Sequence, residues 1–447
     1  GREVTNDALC EHLEATGLAG TIAVVACDKP PVGTLAALLE HNQPSIIMSD
    51  GPIHPGKDPE TGEALDIVSA YQVAGSPDAE FRHRISCNAC PGFGSCGGMF
   101  TYNTMQTFIG VVGMQPLHMV APASDDPRRL KEFPAELVQI LSEMMKNDLK
   151  PRDIVVRDSL RNAMIVAMAI GGSTNVTLHA PEIARAAGFA DFWKEVKKVD
   201  GTVIYPVEKP YKPTGGLRVL GGNLSPDFSA ILKLAGVESG LEGNKFIGNA
   251  RVFEGEPALL KALDETPEQF QDNDITIIRY AGPSGAPGMP EMLDPTSRIT
   301  TLCRERNITV ALMTDARFSG GSVGLVIGHV GPEAALGGPI ALIEDGDEIV
   351  ADLTTNELIC TALNDPAVLK ARKAAWDKVV ADNGGVHPLC GVADTRLLHR
   401  ARHTAVPASR GGGLHPNREV WVREPREATR SGFVPKNKYR PETDKAF

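Results

Sequence analysis

Short, mainly apolar runs alternate with amphipathic stretches through the first half of the chain. Residues 21–26 and 45–48 have the length and composition of buried β-strands. Residues 134–146 and 159–170 instead repeat apolar side chains at the spacing of an amphipathic helix. Because strands and helices alternate, we predict an α/β fold with a doubly wound N-terminal domain over residues 1–204.

The pattern changes after residues 205–213, where Pro, Lys and Tyr give a composition typical of a linker. Beyond it the apolar runs are shorter and richer in β-branched residues, and strands are predicted at residues 275–279, 308–313, 339–343 and 348–351. Asp345-Gly346 is a strong turn signal between the last two of these runs. We therefore predict a β-rich second domain over residues 205–405, followed by a polar tail over residues 406–447.

Composition limits the classes of function. The 447 residues are enough for two or three domains, and 42% hydrophobic with 23% charged residues is ordinary for a soluble protein. No apolar run approaches the roughly 18 residues that span a bilayer, so we expect no membrane segment. A formal net charge of −11 disfavours binding to nucleic acid, and the basic-rich residues 400–445 mix Arg with Pro and Glu as a solvated extension does. Eight unevenly spaced Cys favour a reducing compartment over a disulfide scaffold, so we expect a cytoplasmic protein.

Cys27, Asp28 and Lys29 directly follow the first predicted strand and place a thiol, a carboxylate and an amine on one turn. A thiolate prefers iron–sulfur clusters or zinc, whereas a carboxylate prefers magnesium or manganese. The tripeptide therefore suits two different metals that meet over one substrate. The alternative is a buried Cys that ends a strand beside a solvated Asp-Lys pair.

A second segment, residues 87–105, packs three cysteines among glycines and leads into a helix-compatible run at residues 106–112. Glycines let backbone amides approach closely, and amides that point at cluster sulfides tune an iron–sulfur centre. The CxxC spacing of Cys87 and Cys90 also allows a zinc knuckle or a redox pair. A zinc knuckle needs a second ligand pair of similar spacing, and the cysteines beyond residue 300 are scattered singly.

With these motifs in view, the chain resembles the dihydroxy-acid dehydratase/6-phosphogluconate dehydratase family, which also includes aldonic-acid dehydratases. The shared motifs, in family order, are Cys27-Asp28-Lys29, residues 90–105, residues 171–175 with His179, residues 213–217 and 222–224, residues 282–292 and residues 314–321. The resemblance implies a hydro-lyase that converts a 2,3-dihydroxy acid to a 2-keto acid. It also implies that the second domain is a swivelling β-barrel like that of aconitase.

The resemblance assigns roles residue by residue. Cys27 and Cys96 match cluster ligands, and Asp28 matches a magnesium ligand. Lys29 matches a lysine that the family carbamylates, which converts an amine into an anionic oxygen ligand. Further along, Glu291 matches the magnesium-binding glutamate of the second domain, and Ser319 matches the catalytic base.

The resemblance also indicates the type of cluster, and residues 171–175 with His179 can be interpreted beside it. Phe93 stands where some members have an extra Cys, so the segment is more similar to members with a [2Fe–2S] cluster than to those with [4Fe–4S]. Residues 171–175 have the composition of a substrate-facing loop, within which we expect Thr174 to cap a helix. His179 is expected to be a satisfied structural histidine rather than a ligand.

Two departures from the family pattern leave alternatives open. Family members carry another cluster Cys and another magnesium-binding Asp upstream of the Cys-Asp-Lys turn, so we expect this sequence to be N-terminally incomplete. Residues 188–193 also join two parts that the family separates by a longer helical stretch. Cys10 could replace the missing thiol, but it lies in a polar helix-like segment at residues 6–15.

The preferred hypothesis is dehydration of a small branched dihydroxy acid in branched-chain amino-acid synthesis, by a homo-oligomer, either a dimer or a tetramer. One alternative is a sugar-acid dehydratase, whose pocket would need more hydroxyl-satisfying groups. The other alternative is an inactive partial chain that contributes only an interaction surface.

Overall fold

The computed structural model describes residues 1–73, 76, 78–196, 217–233, 244–318, 324–391 and 393–418. The elements of the N-terminal region, residues 1–196, are α1 (Arg2–Thr16), β1 (Thr21–Val25), α2 (Lys29–His41), β2 (Ser45–Ser49), β3 (Gly56–Lys57), β4 (Ala64–Leu65), α3 (Ile67–Gln72), α4 (Ala79–Asn88), α5 (Thr101–Val111), α6 (Glu132–Lys146), α7 (Pro151–Ile154), α8 (Arg157–Ala169), α9 (Val176–Ala186) and α10 (Trp193–Val196). The elements of the C-terminal region, from residue 217, are β5 (Leu217–Leu220), β6 (Ala230–Lys233), β7 (Lys245–Glu254), α11 (Glu256–Glu265), β8 (Asp274–Arg279), α12 (Leu293–Arg306), β9 (Val310–Thr314), β10 (Val326–Gly328), β11 (Glu348–Asp352), β12 (Glu357–Cys360), α13 (Pro366–Asp382) and α14 (Arg396–Thr404).

The N-terminal region is built around one parallel strand pair. β1 and β2 pair from Thr21 opposite Ser45 to Val25 opposite Ser49, and α2 is the crossover between them. α2 is apolar on nearly all sides, and it is buried against β1, α5 and α9. This pair confirms the strands predicted at residues 21–26 and 45–48. However, within the described N-terminal residues it is the whole parallel sheet, so helices form most of the core and the predicted doubly wound layer is not seen.

The C-terminal region is a mixed eight-stranded sheet in the order β12-β11-β7-β8-β9-β10-β6-β5. The four central strands β7, β8, β9 and β10 are parallel to one another, and the outer strands are antiparallel to their neighbours. The two edges approach each other, because the Leu358 amide donates to the Gly221 carbonyl at 2.7 Å and the Gly221 amide donates to Asn356 at 2.9 Å. The sheet is therefore nearly closed, and the chain has a mixed α/β fold as the sequence predicted.

One predicted strand of this region is wrong. Residues 339–343 are not a partner of β11; Pro339–Leu342 is a 3₁₀ turn, and β11 pairs with β12 and β7 instead. Pro339 has a fixed φ and no amide hydrogen, which suits the first position of a helical turn and removes a ladder donor. The side chains of Ile340 and Leu342 are buried, so their apolar character reflects core packing rather than pairing.

The two regions share a hydrophobic core. Leu217 of β5 and Ile231 of β6 belong to the same buried cluster as α2, α5, α8 and α9. The linker predicted at residues 205–213 lies outside the described residues, so the predicted domain boundaries stay predictions.

The segment after α14 returns to the N-terminal region. Arg2 Nη2 donates to the Gly411 carbonyl at 2.7 Å, and the Leu414 amide donates to Glu3 Oε2 at 3.2 Å. His415 Nε2 lies 3.4 Å from Glu182 Oε2, with both side chains buried. The expectation of a solvated extension from residue 400 is therefore wrong up to residue 418, because buried charges on α1 and α9 bind this segment. Residues 419–447 lie outside the described part.

Within the described ranges, no helix combines the length and apolarity that crossing a bilayer requires.

Candidate active site

Cys27, Asp28 and Lys29 occupy the turn between β1 and α2. Cys27 has a φ of 63°, in the left-handed region that few non-glycine residues adopt, and its side chain is exposed. Asp28 is the N-cap of α2 and Lys29 is its first residue, and the two side chains form an ion pair. The predicted thiol, carboxylate and amine therefore lie together at the carboxyl end of β1.

The carboxylates of Asp28 and Glu291 meet at one guanidinium group. Arg317 Nη1 lies 3.2 Å from Glu291 Oε1 and 4.0 Å from Asp28 Oδ2. Arg317 is held in place because its Nε donates to the Met289 carbonyl at 2.6 Å. Asp28 comes from the N-terminal region and Glu291 from the C-terminal region, so these acids converge across the two regions.

The charges around Lys29 oppose one another. Burial and the nearby Arg317 lower the pKa of Lys29, while Asp28 and Glu291 act in the opposite direction. Burial alone would raise the pKa of Asp28, but Lys29 and Arg317 hold that pKa below its usual value. The site thus contains two carboxylates and two cationic side chains, Lys29 and Arg317, which balance the negative charge.

The start of α9 contributes side chains to the same place. Asn175 Nδ2 donates to Glu291 Oε1 at 2.8 Å and to Thr101 Oγ1 at 2.7 Å. Thr174 was predicted to cap this helix, but the N-cap is Asn175 and no side chain caps it. The Thr174 hydroxyl instead donates to the Phe318 carbonyl at 3.0 Å, since the end of the helix is buried against the C-terminal region.

His179 is only partly satisfied, so the prediction of a satisfied structural histidine is corrected. Its Nδ1 lies 3.2 Å from Arg2 Nη1; because arginine only donates, Nδ1 accepts, and the neutral ring carries its hydrogen on Nε2. Burial lowers the pKa of His179 well below its usual value, which keeps the ring neutral. Among the described residues no partner reaches His179 Nε2 or Asn175 Oδ1, although both atoms are buried. Asn175 thus has a buried acceptor on the side chain that binds Glu291, and His179 has a buried donor one turn further along α9.

The two cysteines that the sequence singled out lie close to each other. The Cys27 amide donates to Ser95 Oγ at 2.7 Å, and Cys96 is the next residue. Burial and the charges of Cys27 and Asp28 raise the pKa of Cys96 to about 11. Cys10 instead contacts Asn6, and Cys360 contacts Asp347. All eight cysteines are free.

The donor types fit the metals that the resemblance implied, since the thiol of Cys27 and the carboxylate of Asp28 lie next to each other, 3.8 Å from Sγ to Oδ1. The ligand count is incomplete: in the described ranges no group of three His, Cys, Asp or Glu side chains is placed to hold a metal ion. Ser319 also lies outside the described residues, which end there at Phe318. The assigned roles of Cys27, Cys96, Asp28, Lys29, Glu291 and Ser319 therefore stay predictions.

Sequence reasoning did not identify Arg317 and Asn175 as site residues, although both lie within motifs that it noted. Their contacts depend on how α9 and the loop after β9 meet, and this is a tertiary feature. The available signal was that Asn175 and Arg317 are polar residues close to glycines, within motifs that the resemblance had already marked.

The site thus joins carboxylates of both regions to a partly buried amine and a guanidinium group, beside two cysteine-bearing segments, an arrangement that suits a small polar acid. Family models extend this result. The N-terminal model of the dihydroxy-acid/6-phosphogluconate dehydratases matches residues 1–217, and the C-terminal model matches residues 202–412. The chain belongs to this family.

Individual relatives agree with the family models. The chain is similar to dihydroxy-acid dehydratase, chloroplastic, of Arabidopsis thaliana, with 36% identity over 444 residues, covering 84% of this chain and 71% of that protein. It is 35% identical over 445 residues to dihydroxy-acid dehydratase of Burkholderia thailandensis, covering 84% and 77%. It is 34% identical over 420 residues to dihydroxy-acid dehydratase astD, mitochondrial, of Aspergillus terreus, covering 78% and 69%.

Proposed function

We propose that this protein is a hydro-lyase that removes water from a 2,3-dihydroxy carboxylic acid and releases the 2-keto acid, in branched-chain amino-acid synthesis. The observation that carries the proposal is the similarity to dihydroxy-acid dehydratases over most of the chain. The sugar-acid alternative has less support, because these relatives carry the dihydroxy-acid name. The inactive-partner alternative has less support because the acids of both regions reach Arg317.

Different residues are proposed to bind the cluster, to bind Mg²⁺ and to move the proton. Cys27 and Cys96 would hold an iron–sulfur cluster, [2Fe–2S] rather than [4Fe–4S], and Asp28, carbamylated Lys29 and Glu291 would hold Mg²⁺. When bound, these groups supply the Lewis acidity that eases loss of the C3 hydroxyl and acidifies the proton on C2. Ser319, as its alkoxide, would take the C2 proton as the C3 hydroxyl leaves, and return of that proton to the departing hydroxide would give water and restore the serine. The resulting enol then tautomerises to the keto acid.

The described contacts support a site for an acidic substrate. Arg317 and the His179 Nε2 hydrogen are donors, and both are buried between the two regions. Asn175 fixes Glu291 through its amide nitrogen, so the amide orients a proposed metal ligand from the N-terminal side. Burial in a low-dielectric site strengthens each of these interactions with a carboxylate.

Three broader features belong to the same proposal. The nearly closed eight-stranded sheet acts as the aconitase-like swivelling domain, to which Ser319 belongs by its position in the sequence between β9 and β10. The protein works as a homo-oligomer. It resides in a reducing compartment, the cytoplasm, which agrees with eight free cysteines.

The test is turnover of defined acids by the protein after anaerobic purification and reconstitution with iron, sulfide and Mg²⁺. We expect 2,3-dihydroxy-3-methylbutanoate to give its 2-keto acid, and gluconate and 6-phosphogluconate to react far more slowly. Ser319→Ala should retain the visible spectrum of the cluster and lose about a hundredfold to ten-thousandfold in rate, since it removes a proton acceptor. Faster reaction of a sugar acid would transfer the assignment to that substrate class, and loss of the cluster in Ser319→Ala would remove the base assignment.

A further inference from the structure

A hydrogen-bonded group behind the two proposed cluster ligands has no role in the function proposed above. It consists of Asp50, Ser95 and Tyr102, which come from the end of β2, the glycine-rich loop and α5. Ser95 and Tyr102 are buried and Asp50 is partly buried. The group lies between the segments that carry Cys27 and Cys96.

Ser95 is the central residue, because its hydroxyl group both accepts and donates. It accepts from the Cys27 amide at 2.7 Å and donates to Asp50, whose carboxylate oxygens lie 2.9 and 2.8 Å away. Cys27 lies beyond the end of β1, and the Ser95 hydroxyl supplies the oxygen acceptor that its amide needs there. The Ser95 hydroxyl therefore connects the main chain of Cys27 to the residue that directly precedes Cys96.

Asp50 sets the direction of these hydrogen bonds. It receives a second hydroxyl hydrogen from Tyr102, whose oxygen lies 2.7 Å from Asp50 Oδ1 and also accepts from the Gly51 amide at 2.9 Å. An ionised carboxylate only accepts, so Ser95 must direct its hydrogen to Asp50 and its lone pair to Cys27. Hydrogen bonds to an ionised acceptor are also stronger than neutral ones, which favours one fixed arrangement.

The backbone around Ser95 reinforces this arrangement. The Ser95 amide donates to the Gly51 carbonyl at 2.9 Å, and the Ser95 carbonyl accepts from Ile53 at 2.7 Å. The Asp50 amide donates to Val25 at 2.9 Å, which ties the end of β2 to the end of β1 just before Cys27. Asp50 is thus bound to the end of β1 through its amide and to Ser95 through its carboxylate.

We propose that Asp50, acting through Ser95, is a positioning residue that fixes the separation of the Cys27 and Cys96 thiols. This inference rests on the proposed function only where it concerns the cluster, because the separation of two thiols can be measured in the metal-free chain. Asp50 is neither a proposed metal ligand nor the proposed base. Its effect is to keep both thiols where a single cluster binds them.

The first experiment treats the full metal-free chain with a short bifunctional thiol reagent and quantifies the Cys27–Cys96 linkage by mass spectrometry. Asp50→Ala and Ser95→Ala should lower its yield by about tenfold, the factor that corresponds to one lost hydrogen bond to a charged acceptor. Asp50→Asn should give an intermediate yield, because its amide oxygen still accepts from Ser95 but carries no charge. Asp125→Asn removes a charge from an exposed neighbouring carboxylate, with 54% exposure, and should match the unmodified sequence.

The second experiment measures iron and sulfide content after anaerobic reconstitution, and the decay of visible absorption in air. Asp50→Ala and Ser95→Ala should lose the cluster faster than Asp125→Asn, with far-ultraviolet circular dichroism confirming that each variant is folded. Equal linkage yields and equal cluster decay in folded Asp50→Ala and Asp125→Asn would overturn the inference. If the unmodified sequence gives the linkage but takes up no iron, the proposed function fails while the positioning role of Asp50 stands.

Discussion

Glu333 is a buried carboxyl group that organises the loop leading to Glu291. Its oxygens accept from the amides of Ser284 and Gly285, at 3.0 Å to Oε2 in both cases. Burial and the carboxylate of Asp315 raise the pKa of Glu333 to about 7. Cys390 faces the same two acids, and Arg402 donates to the carbonyls of this loop.

The raised pKa predicts that stability depends on pH. The unfolded chain releases the Glu333 proton near the ordinary value of 4.5, whereas the folded protein keeps it until about 7. Between these values the folded state binds more protons, so the free energy of unfolding falls as pH rises and levels off above about 7. The loss from this group is at most about 3 kcal/mol.

Glu333→Gln should remove this part of the pH dependence. Urea unfolding at a series of pH values between 4.5 and 8 measures it, and the variant should gain stability relative to the unmodified sequence as pH rises. Glu268→Gln, at an exposed position, serves as the control. Parallel pH profiles for Glu333→Gln and the unmodified sequence would show that Glu333 titrates normally.

For single residues, the sequence indicated which side chains form the site better than it indicated their contacts. Asp28, Lys29 and Glu291 lie together in the structure; the residue types of the Cys-Asp-Lys turn indicated the first two, and motif resemblance alone selected Glu291. Arg317 was not selected as a site residue, since its link between Asp28 and Glu291 exists only when the two regions pack. Asp50 was not selected either, because its neighbours in the sequence show no sign of its hydrogen bonds to Ser95 and Tyr102.

Among the elements, the short pair of β3 and β4 packs tightly on the end of α4. A Cβ atom at Gly56 of β3 would lie 1.7 Å from the Asn88 carbonyl oxygen, just before the segment that carries Cys90 and Cys96. That distance is far inside van der Waals contact and involves backbone, so one of the two segments must move. We expect Gly56→Ala to cost about 1–3 kcal/mol of stability.

The measurement is the urea midpoint together with iron content after reconstitution, and both should fall in Gly56→Ala. Gly391→Ala is the matched control, because its Cβ would meet neighbours at 3.6 Å or more. An unchanged midpoint and iron content in Gly56→Ala would mean that the end of α4 moves freely at this contact.

Helices and strands with a clear spacing of apolar residues could be predicted from the sequence. The pairing of one strand with another could not. β1, β2, β8 and β9 were found close to the predicted positions, as were α6 and α8. The hairpin partner of β11 was misplaced because apolar residues 340–342 are buried in a 3₁₀ turn, and burial has the same sequence signature as a short strand. Likewise, the parallel sheet of the N-terminal region has only two strands among the described residues, because helices fill most of its core. The periodicity of a single element does not predict how elements pack together.

For the whole molecule, the position of the acids between the two regions predicts stabilisation by Mg²⁺. A cation that binds only the folded state at one hundred times its Kd adds about 2.7 kcal/mol to the free energy of unfolding. Glu291→Gln removes an anionic ligand on the C-terminal side, so this gain should largely disappear. Thermal unfolding with and without Mg²⁺ measures it.

Glu268→Gln should keep the full stabilisation, and a chelator should reverse it in both proteins. Equal Mg²⁺ shifts for Glu291→Gln and Glu268→Gln would place the cation elsewhere. A Ca²⁺ titration in parallel reports whether the site discriminates by ion size, since Mg²⁺ demands a tighter octahedral geometry than Ca²⁺.

The return of residues 406–418 to α1 and α9 restricts how the C-terminal region can move. The chain enters that region after α10, and it comes back at Gly411, Leu414 and His415. Leu217 and Ile231 also pack in the buried cluster formed by the helices of the N-terminal region. The C-terminal region can therefore move away from Asp28 only if the returning segment gives up its hydrogen bonds or these apolar side chains become exposed to water.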